Sequence, residues 1–328
     1  MLFYEKAELH AHLNGCIPPQ KIKELVQGYN VEIPKGFDIN KDLQILEPVN
    51  SLLDYFKPWF VFKLLPVGKE CLTQMVDAAV ETLANDNIRY VEFRNSPFNI
   101  CEINKISIDE SLEWLIETLS RSSEAYGVKA HLVVSLSRYN FDLNKAWELL
   151  NAIKSKNKEG VIVGVDLSGD ETSPITADVA NFFRTAKHDL GLGVSIHAGE
   201  MGDLENIRWA IEECQVDRLA HSLAAAKCRK TLEIISKKDI CLEISLISNL
   251  RTGSVKTLAS HPVLTFIEAG VPFVLCSDNP QVHGSTLSDE YNLFYNLTSR
   301  QDLIESMFSK QKKYSFAKEN NLNETDRC

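Results

Sequence analysis

Two histidines near the start of the chain have the spacing of metal ligands. His10 and His12 lie in AELHAHL (7–13), a run whose apolar residues predict a strand. Side chains alternate between the two faces of a strand, so residues two apart share a face. Two imidazoles on one face pack poorly in a core, but their nitrogens bind metal ions well. A pair of partly exposed histidines at a strand end is the alternative for this stretch alone.

Further residues of the kind that bind metals or transfer protons follow later strand-like runs. They lie at the matching ends of three such runs: His197, Glu200, His221, Asp278 and Asn279. A single histidine at a strand end is usually structural, but chance would scatter them rather than collect four of the eight histidines in this way. We expect His131, His188 and His261 to be surface or capping residues, while His283 fits either description.

The chemistry of this set is that of a zinc site. Three neutral imidazoles and one carboxylate are ligands that Zn²⁺ accepts, and the sequence offers His10, His12, His197 and Asp278. A zinc ion with an open position binds water and lowers the pKa of that water to about 7. Asp278 would then contact both metal and water, and His221 would be a base or an electrostatic partner for the hydroxide. Glu200 would reach the site without binding the metal, as a proton donor to the substrate.

The elements that must position these residues form an alternating β/α pattern. Eight strands are predicted, at 7–13, 89–94, 130–137, 161–169, 194–200, 217–222, 240–248 and 272–278. Strands separated by helices pair in parallel, and eight of them close into a (β/α)8 TIM barrel with its active site at the carboxyl ends of the strands. An open doubly wound sheet is the alternative, but its usual G-x-G-x-x-G turn is replaced here by NGCIPPQ. We predict one barrel domain spanning 1–328.

Helical patterns fill the intervals between these strands, at 71–87, 107–127, 177–191, 204–214 and 263–270. Ser107 with Glu110 predicts a capping box, and Thr176 a second amino-terminal cap. The long interval 16–88 holds more than one helix. Within it, the aromatic segment (50–65) carries Tyr55, Phe56, Trp59, Phe60 and Phe62, which predict either core packing or a lid over the barrel mouth.

Composition limits the class of partner and the compartment. The chain has 328 residues, 44% of them hydrophobic, and a net charge of -10, which argues against binding a nucleic-acid backbone. Eight scattered cysteines without a C-x-x-C pair indicate reduced thiols. No signal-peptide pattern and no membrane-length apolar run are present. We therefore expect a cytoplasmic protein with no nucleic-acid or membrane partner, and the sequence leaves the oligomeric state open.

The motifs that carry these residues resemble those of the adenosine deaminase family. The resemblance covers nearly the whole chain, in order and spacing, through AELHAHLNG, VDLSGDE (165–171), SIHAGE, RLAHS, LEISLISNLRTGSV (242–255) and HPVLTFIEAGVPFVLCSDNP (261–280). It implies hydrolytic deamination of a small-molecule 6-aminopurine by one zinc ion per chain. The smaller cytidine-type zinc deaminases use H-x-E with P-C-x-x-C, and neither motif occurs here.

The same resemblance assigns roles to single residues. The implied zinc ligands are His10, His12, His197 and Asp278, with His12 also beside the substrate. Zinc hydroxide would attack C6 of the purine while Glu200 protonates the adjacent ring nitrogen. His221 would orient the water and help to deprotonate it. The backbone N–H of Gly169 would contact the purine.

Four positions depart from the family pattern. Asn14 stands where the family has an aspartate that accepts a hydrogen bond from the ribose 5′-hydroxyl, and the neutral amide removes repulsion against a 5′-phosphate. HLNG also occurs in the branch that acts on N6-methyl-AMP. Asn279 replaces an aspartate that contacts ring N7; its amide would donate to N7 or mark a changed base. Ala220 and Ser222 replace glycines around His221, and Ser222 adds bulk near the metal.

These observations favour adenosine or deoxyadenosine as the substrate, giving inosine or deoxyinosine and ammonia. The alternatives are N6-methyl-AMP or AMP, adenine, or another adenine-bearing metabolite, with Lys57 and Lys63 as candidates for contacting a phosphate. A binding protein that has lost its chemistry is disfavoured because every catalytic position is intact. A different metal hydrolase is also disfavoured, since Asp166 in strand 4 is no obvious bridge between two metals.

Overall fold

Eight parallel strands form a single sheet in which the spatial order of the strands is their order along the chain. The computed structural model describes residues 4–139, 141–173, 177–201 and 203–317. The strands are β1 (Lys6–His12), β2 (Ile88–Asn95), β3 (Lys129–Ser137), β4 (Ile162–Ser168), β5 (Gly193–Ala198), β6 (Arg218–His221), β7 (Cys241–Ile244) and β8 (Phe273–Leu275). Their inward and outward faces are almost entirely buried, as expected for parallel strands covered by helices.

Helices connect successive strands and surround them. The extra helices after β1 are α1 (Pro19–Gly28), α2 (Leu52–Tyr55), α3 (Trp59–Phe62) and α4 (Gly68–Asn85). Those between β2 and β6 are α5 (Pro97–Asn104), α6 (Ile108–Tyr126), α7 (Leu143–Lys156), α8 (Ala177–Leu190) and α9 (Leu204–Glu212). The remainder are α10 (Arg229–Lys237), α11 (Leu246–Arg251), α12 (Val263–Glu268), α13 (Pro280–His283), α14 (Leu287–Thr298), α15 (Gln301–Glu305) and α16 (Met307–Tyr314). Within the described ranges, no helix has both the length and the apolarity needed to cross a membrane.

The seam between the first and last strands lies at the functional residues. The Asp278 N–H donates to the carbonyl of His10, and the His12 N–H donates to the carbonyl of Asp278, each at 2.9 Å. This Ala11–Asp278 bridge joins the β8 end of the sheet to β1, so the sheet closes into a (β/α)8 barrel. The predicted TIM barrel is confirmed, and the open doubly wound alternative is excluded.

The largest difference from the predicted elements concerns the seventh strand. The run at 240–248 is mostly apolar and predicts a continuous strand, but β7 ends at Ile244 and α11 begins two residues later. The Glu290 carboxylate accepts the N–H groups of Leu246 and Ile247, at 2.8 and 2.9 Å, and so satisfies the start of α11. A cap supplied from 44 residues away leaves no local pattern in the run. The Ser107 cap is confirmed, its hydroxyl accepting the Glu110 N–H at 3.2 Å, whereas the cap at Thr176 lies outside the described residues.

Paired charges fill the barrel below the strand ends. The guanidinium of Arg94 lies 2.6 Å from a carboxylate oxygen of Glu243, and the guanidinium of Arg218 lies 2.7 Å from the other oxygen. Arg218 also pairs with Glu92. These side chains are almost completely buried, so each charge needs its partner in place of water.

The segment after α16 closes the opposite end of the barrel from the functional residues. The Phe316 ring lies 3.5 Å from the guanidinium carbon of Arg218. A β-carbon on Gly193 would lie 2.1 Å from this ring, and one on Gly164 would lie 2.5 Å from it. The two glycines of β4 and β5 therefore make room for an aromatic ring that forms the floor of the barrel.

Candidate active site

Three histidines from two strands converge at the carboxyl end of the barrel. His10 and His12 come from β1 and His197 comes from β5, and one ring nitrogen of each lies within 4.8 Å of the others. Asp278 follows β8, and its Oδ1 lies 3.4 Å from the Nε2 atoms of both His10 and His12. The structure thus brings together all four residues proposed from the sequence as metal ligands.

The ring nitrogens of this cluster are arranged as a metal requires. The Nδ1 atoms of His10 and His197 face carboxylates of Glu243 and Asp166, at 2.8 and 2.9 Å. Such partners orient a ring so that Nε2 is left for the metal. The Nε2 atom of His10 is buried and has no hydrogen-bond partner. An orphaned buried nitrogen beside two more imidazoles and a carboxylate fits a divalent metal such as zinc.

The protonation of two members of the cluster also suits metal binding. Burial lowers the pKa of His12 to about 3, so the ring is neutral and its lone pair is available. Burial opposes the ionisation of Asp278, but the neighbouring His10 ring holds the pKa of this carboxyl well below its usual range. Asp278 is therefore a carboxylate, and it also accepts the Ser248 hydroxyl at 2.6 Å.

The backbone is strained where the strands deliver these side chains. His221, Ser222 and Asp278 have positive φ angles of 61°, 51° and 60°, which residues with a β-carbon rarely adopt. Strained residues of this kind concentrate at functional sites. The Ser222 hydroxyl donates to the carbonyl of Ala198 at 2.8 Å, and both Ser222 and Ala220 are fully buried. Ser222 therefore stabilises the turn, and it does not line the cavity described below, contrary to the bulk expected near the metal.

Glu200 lies two residues beyond β5, in a loop held by a second glutamate. The Glu171 carboxylate accepts the N–H groups of Glu200 and Met201, at 2.7 and 3.4 Å. The Oε1 atom of Glu200 faces three donors from the α11 region, which are Asn249, Thr252 and Ser254, at 3.3–3.4 Å. Sequence reasoning missed Glu171 as a positioning residue, although it ends the VDLSGDE motif.

His221 ends β6 beside this glutamate. Its Nε2 lies 3.9 Å from Oε2 of Glu200, and its Nδ1 lies 3.1 Å from the amide nitrogen of Asn249. Burial lowers the pKa of His221, so the ring is neutral near pH 7. The predicted acid and the predicted base or electrostatic partner therefore lie side by side.

Two histidines outside the predicted set are also buried close to the site. His261 was expected at the surface or in a cap; it does accept the Val263 N–H at the start of α12, but it is only 4% exposed and contacts Asn249. His283 lies 3.1 Å from the hydroxyl of Tyr55. A surface position for His261 is wrong because the segment before α12 folds over α11, a tertiary contact that its local sequence does not indicate.

The amide nitrogen of Asn279 is already hydrogen-bonded to other residues of the protein. This nitrogen donates to Oδ1 of Asp278 at 2.8 Å and lies 3.2 Å from the Tyr55 hydroxyl, while the amide oxygen has no partner. The opposite orientation would put the amide oxygen against the Asp278 carboxylate. The contact between Asn279 and ring N7 stays a prediction, and it requires a rearrangement of this amide.

A cavity of about 780 Å³ joins these residues. Three of the proposed ligands, His12, His197 and Asp278, line it, whereas His10 is fully buried and does not. The rest of the lining includes Glu200, His221, Gly169 and Asn279, and the aromatic segment (50–65) contributes Tyr55, Phe56, Trp59 and Phe60. A second cavity of about 690 Å³ shares several of these walls and reaches Asn14 and Lys63. The aromatic segment therefore borders the barrel mouth, as a lid would.

Barrels whose strand ends gather histidines and a carboxylate around one point form the class of metal-dependent amidohydrolases, and this protein falls in that class. A sequence profile described as adenosine deaminase matches residues 5–322. The chain belongs to the adenosine deaminase family and is a hydrolytic deaminase.

Individual relatives differ in what they act on. An adenosine deaminase from Vibrio parahaemolyticus is 31% identical over 291 residues, which cover 87% of this chain and 85% of the relative. An N6-mAMP deaminase from Arabidopsis, known from a crystal structure, is 25% identical in sequence to this chain. The two structures align with a TM-score of 0.84 over 98% of this chain and 96% of the Arabidopsis chain. An adenine deaminase from Arthrobacter aurescens is 21% identical and shares the fold, with a TM-score of 0.85 over 96% of this chain and 95% of its own.

Proposed function

We propose that this protein is a zinc-dependent aminohydrolase that converts adenosine or deoxyadenosine into inosine or deoxyinosine and ammonia. The observation that carries the proposal is that Glu200 and His221 line one cavity together with three of the proposed ligands, while the fourth, His10, lies fully buried in the same cluster. Those three ligands are His12, His197 and Asp278. An acid, a histidine and a metal set are the groups that hydrolysis of a C–N bond in a purine needs. The relationship to adenosine deaminases of similar length supports the same substrate class.

The ligands in this proposal are His10, His12, His197 and Asp278, holding one zinc ion. Zinc bound there would supply an activated water at neutral pH. The chain's own groups do the rest. Glu200 protonates the ring nitrogen next to C6, which makes that carbon electrophilic, and His221 orients the attacking water. The oxygen bonds to C6, the C6–N bond breaks, and the leaving amine departs as ammonia.

The cavity walls suit a flat aromatic base. Phe56, Trp59 and Phe60 offer ring surfaces on the lid side of the cavity, and aromatic rings stack well on a purine. Gly169 lines the same cavity and has a φ of 101°, a conformation that favours glycine. We propose that this N–H contacts the base and that His12 and Asn14 lie beside the sugar.

A 5′-phosphorylated substrate such as N6-methyl-AMP is the second candidate, and the second cavity favours it. Asn14 lines that cavity and is uncharged, so it does not repel a phosphate. Lys63 also lines it, whereas Lys57 lies 2.7 Å from Asp42 and is paired. The similarity to an N6-mAMP deaminase points in the same direction.

Formation of the 6-oxopurine product by the zinc-loaded protein tests the proposal. Adenosine, deoxyadenosine, adenine and AMP would release ammonia, and N6-methyl-AMP would release methylamine, so the product and the amine are both measured. Glu200→Gln is the inactive variant and the exposed Glu212→Gln is its matched control. We expect adenosine to give the highest kcat/KM and Glu200→Gln to lower it by about 10²–10⁴-fold. Reaction with nucleotides alone would establish the second candidate, and no 6-oxopurine product from any of them would refute both.

We also propose a cytoplasmic location, with a small-molecule purine as the substrate and no nucleic-acid or membrane partner. Seven cysteines of the described residues are free thiols, five of them buried, in keeping with a reducing compartment. Fractionation of the source cells checks this part of the proposal.

A further inference from the structure

The orientation of His261 is fixed by the main chain. The backbone N–H of Val263 donates to Nδ1 of His261 at 3.1 Å. A ring nitrogen that accepts a hydrogen bond carries no proton of its own, so His261 is neutral and its proton is on Nε2.

Asn249 transmits this orientation. Its Oδ1 lies 3.2 Å from Nε2 of His261 and accepts that proton in a hydrogen bond. The amide nitrogen on the other branch then lies 3.1 Å from Nδ1 of His221 and 3.4 Å from Oε1 of Glu200. The reversed amide would set N–H against N–H at His261. Asn249 is fully buried, so no water can compensate this mismatch.

The tautomer of His221 follows from this chain of contacts. Its Nδ1 accepts a hydrogen bond from Asn249, so its proton is on Nε2, the nitrogen that lies 3.9 Å from Oε2 of Glu200. The resting ring therefore presents a donor toward the reaction centre and has no free lone pair there.

We propose that His261 and Asn249 are positioning residues that hold His221 as the Nε2–H tautomer, so that His221 presents an N–H donor to the reaction centre. This proposal rests on the proposed function.

Nitrogen NMR of the zinc-loaded protein labelled with ¹⁵N-histidine tests the tautomer without any substrate. We expect a protonated Nε2 and a bare Nδ1 for His221. His261→Asn retains an acceptor for the Val263 N–H but is too short to reach Asn249, so His221 should become a mixture of tautomers with kcat lowered about 10-fold. Asn249→Asp offers only acceptors, so the proton of His221 should move to Nδ1. We expect kcat to fall by 10² or more, since a wrong imidazole tautomer costs up to about 10⁴ in a serine hydrolase.

Ser254→Ala is the matched control, because it removes another donor to Oε1 of Glu200 but does not touch Asn249. It should leave the His221 spectrum unchanged. A proton on Nδ1 of His221 in the unmodified protein would overturn the proposal, and so would unchanged kcat in Asn249→Asp once its tautomer has inverted. An Nε2–H spectrum without any ammonia release would refute the proposed deamination while supporting the tautomer assignment.

Discussion

The two ends of the barrel treat polar groups in opposite ways. In the interior and at the floor, Arg94 and Arg218 share Glu243 as an ion-pair partner, and the Phe316 ring covers Arg218. At the carboxyl ends of the strands, Nε2 of His10 and the amide oxygens of Asn14 and Asn279 are buried without partners. The Nε atoms of Arg94 and Arg218 also lack a hydrogen bond, but each lies in an ion pair. Paired charges therefore stabilise the interior, whereas the unpaired imidazole nitrogen and amide oxygens at the strand ends are where a metal or substrate would bind.

The two ends are nevertheless connected. Glu243 accepts both arginines from below and contacts Nδ1 of His10 above at 2.8 Å. The floor therefore determines the orientation of one metal ligand. Substitutions at the carboxyl ends of the strands should mainly lower activity, and substitutions at the floor should mainly lower stability. A substitution of Glu243, which contacts both ends, should lower both.

Removing the metal should have the largest effect. Without the metal, the buried imidazoles and carboxylate of the proposed ligands would have no common partner. We expect activity to be lost entirely and to return with zinc. Zinc at about 1,000 times its Kd should raise the free energy of unfolding by about 4 kcal/mol. Chemical denaturation with and without zinc, with metal content checked by elemental analysis, measures this; full activity in metal-free protein would contradict it.

Substitution of Arg218 by methionine should destabilise the floor. It leaves the buried carboxylates of Glu92 and Glu243 short of a partner, which costs about 3–5 kcal/mol for a buried ion pair. Urea denaturation measures the loss. The exposed Arg229→Met, which lies on a helix surface, should change stability by less than about 0.5 kcal/mol. Equal losses in the two variants would show that the interior pairing has no special role.

Asp166→Asn should weaken metal binding more than it weakens the fold. The carboxylate lies 2.9 Å from Nδ1 of His197 and orients that ring, and loss of such a partner typically costs 10–100-fold in metal affinity. Competition with a chelator gives the affinity, with the exposed Asp189→Asn as the matched control. Unchanged affinity would mean that His197 is oriented by other contacts.

Gly193→Ala should disturb the floor through Phe316. Because the added carbon would overlap the ring, overpacking should cost about 1–3 kcal/mol. Phe316→Ala removes the obstacle, so Gly193→Ala should cost much less in that background. A double-mutant cycle from thermal unfolding measures the coupling, and strict additivity would argue against direct contact.

Protonation of His261 at acid pH should lower the free energy of unfolding. Burial lowers its pKa to about 3, below its value of about 6.5 in the unfolded chain. The stabilising contribution is therefore complete above pH 6.5 and is lost as the pH falls toward 3, by about 1.4 kcal/mol per pH unit. The stability difference between the unmodified protein and His261→Asn should shrink accordingly below pH 6.5. A difference that stays constant from pH 7 to 5 would refute this.

The sequence predicted what depends on local pattern and strand register. The strand positions, the barrel and the shared face of His10 and His12 follow from alternation and from parallel pairing. The spacing of His197, Glu200 and Asp278 relative to their strands then brings them to the same end.

What the sequence did not indicate depends on contacts between distant segments. Glu171 reaches the loop of Glu200 from 29 residues away, and His261 reaches Asn249 across the turn after α11. Glu290 starts α11 from a different helix. None of these produces a periodic pattern, because each is a single polar side chain whose partner is decided by the closed barrel.

The seam at Ala11 and Asp278 has a consequence for biosynthesis. The proposed metal set draws on residue 10 at one end of the barrel and residue 278 at the other, so a growing chain on the ribosome has an incomplete set until β8 and the bridge after it have been made. Chains are synthesised from the amino terminus, and early segments begin to fold first. Binding of the proposed metal by all four residues would therefore occur late in synthesis, because it requires the segment after β8 to pair with β1.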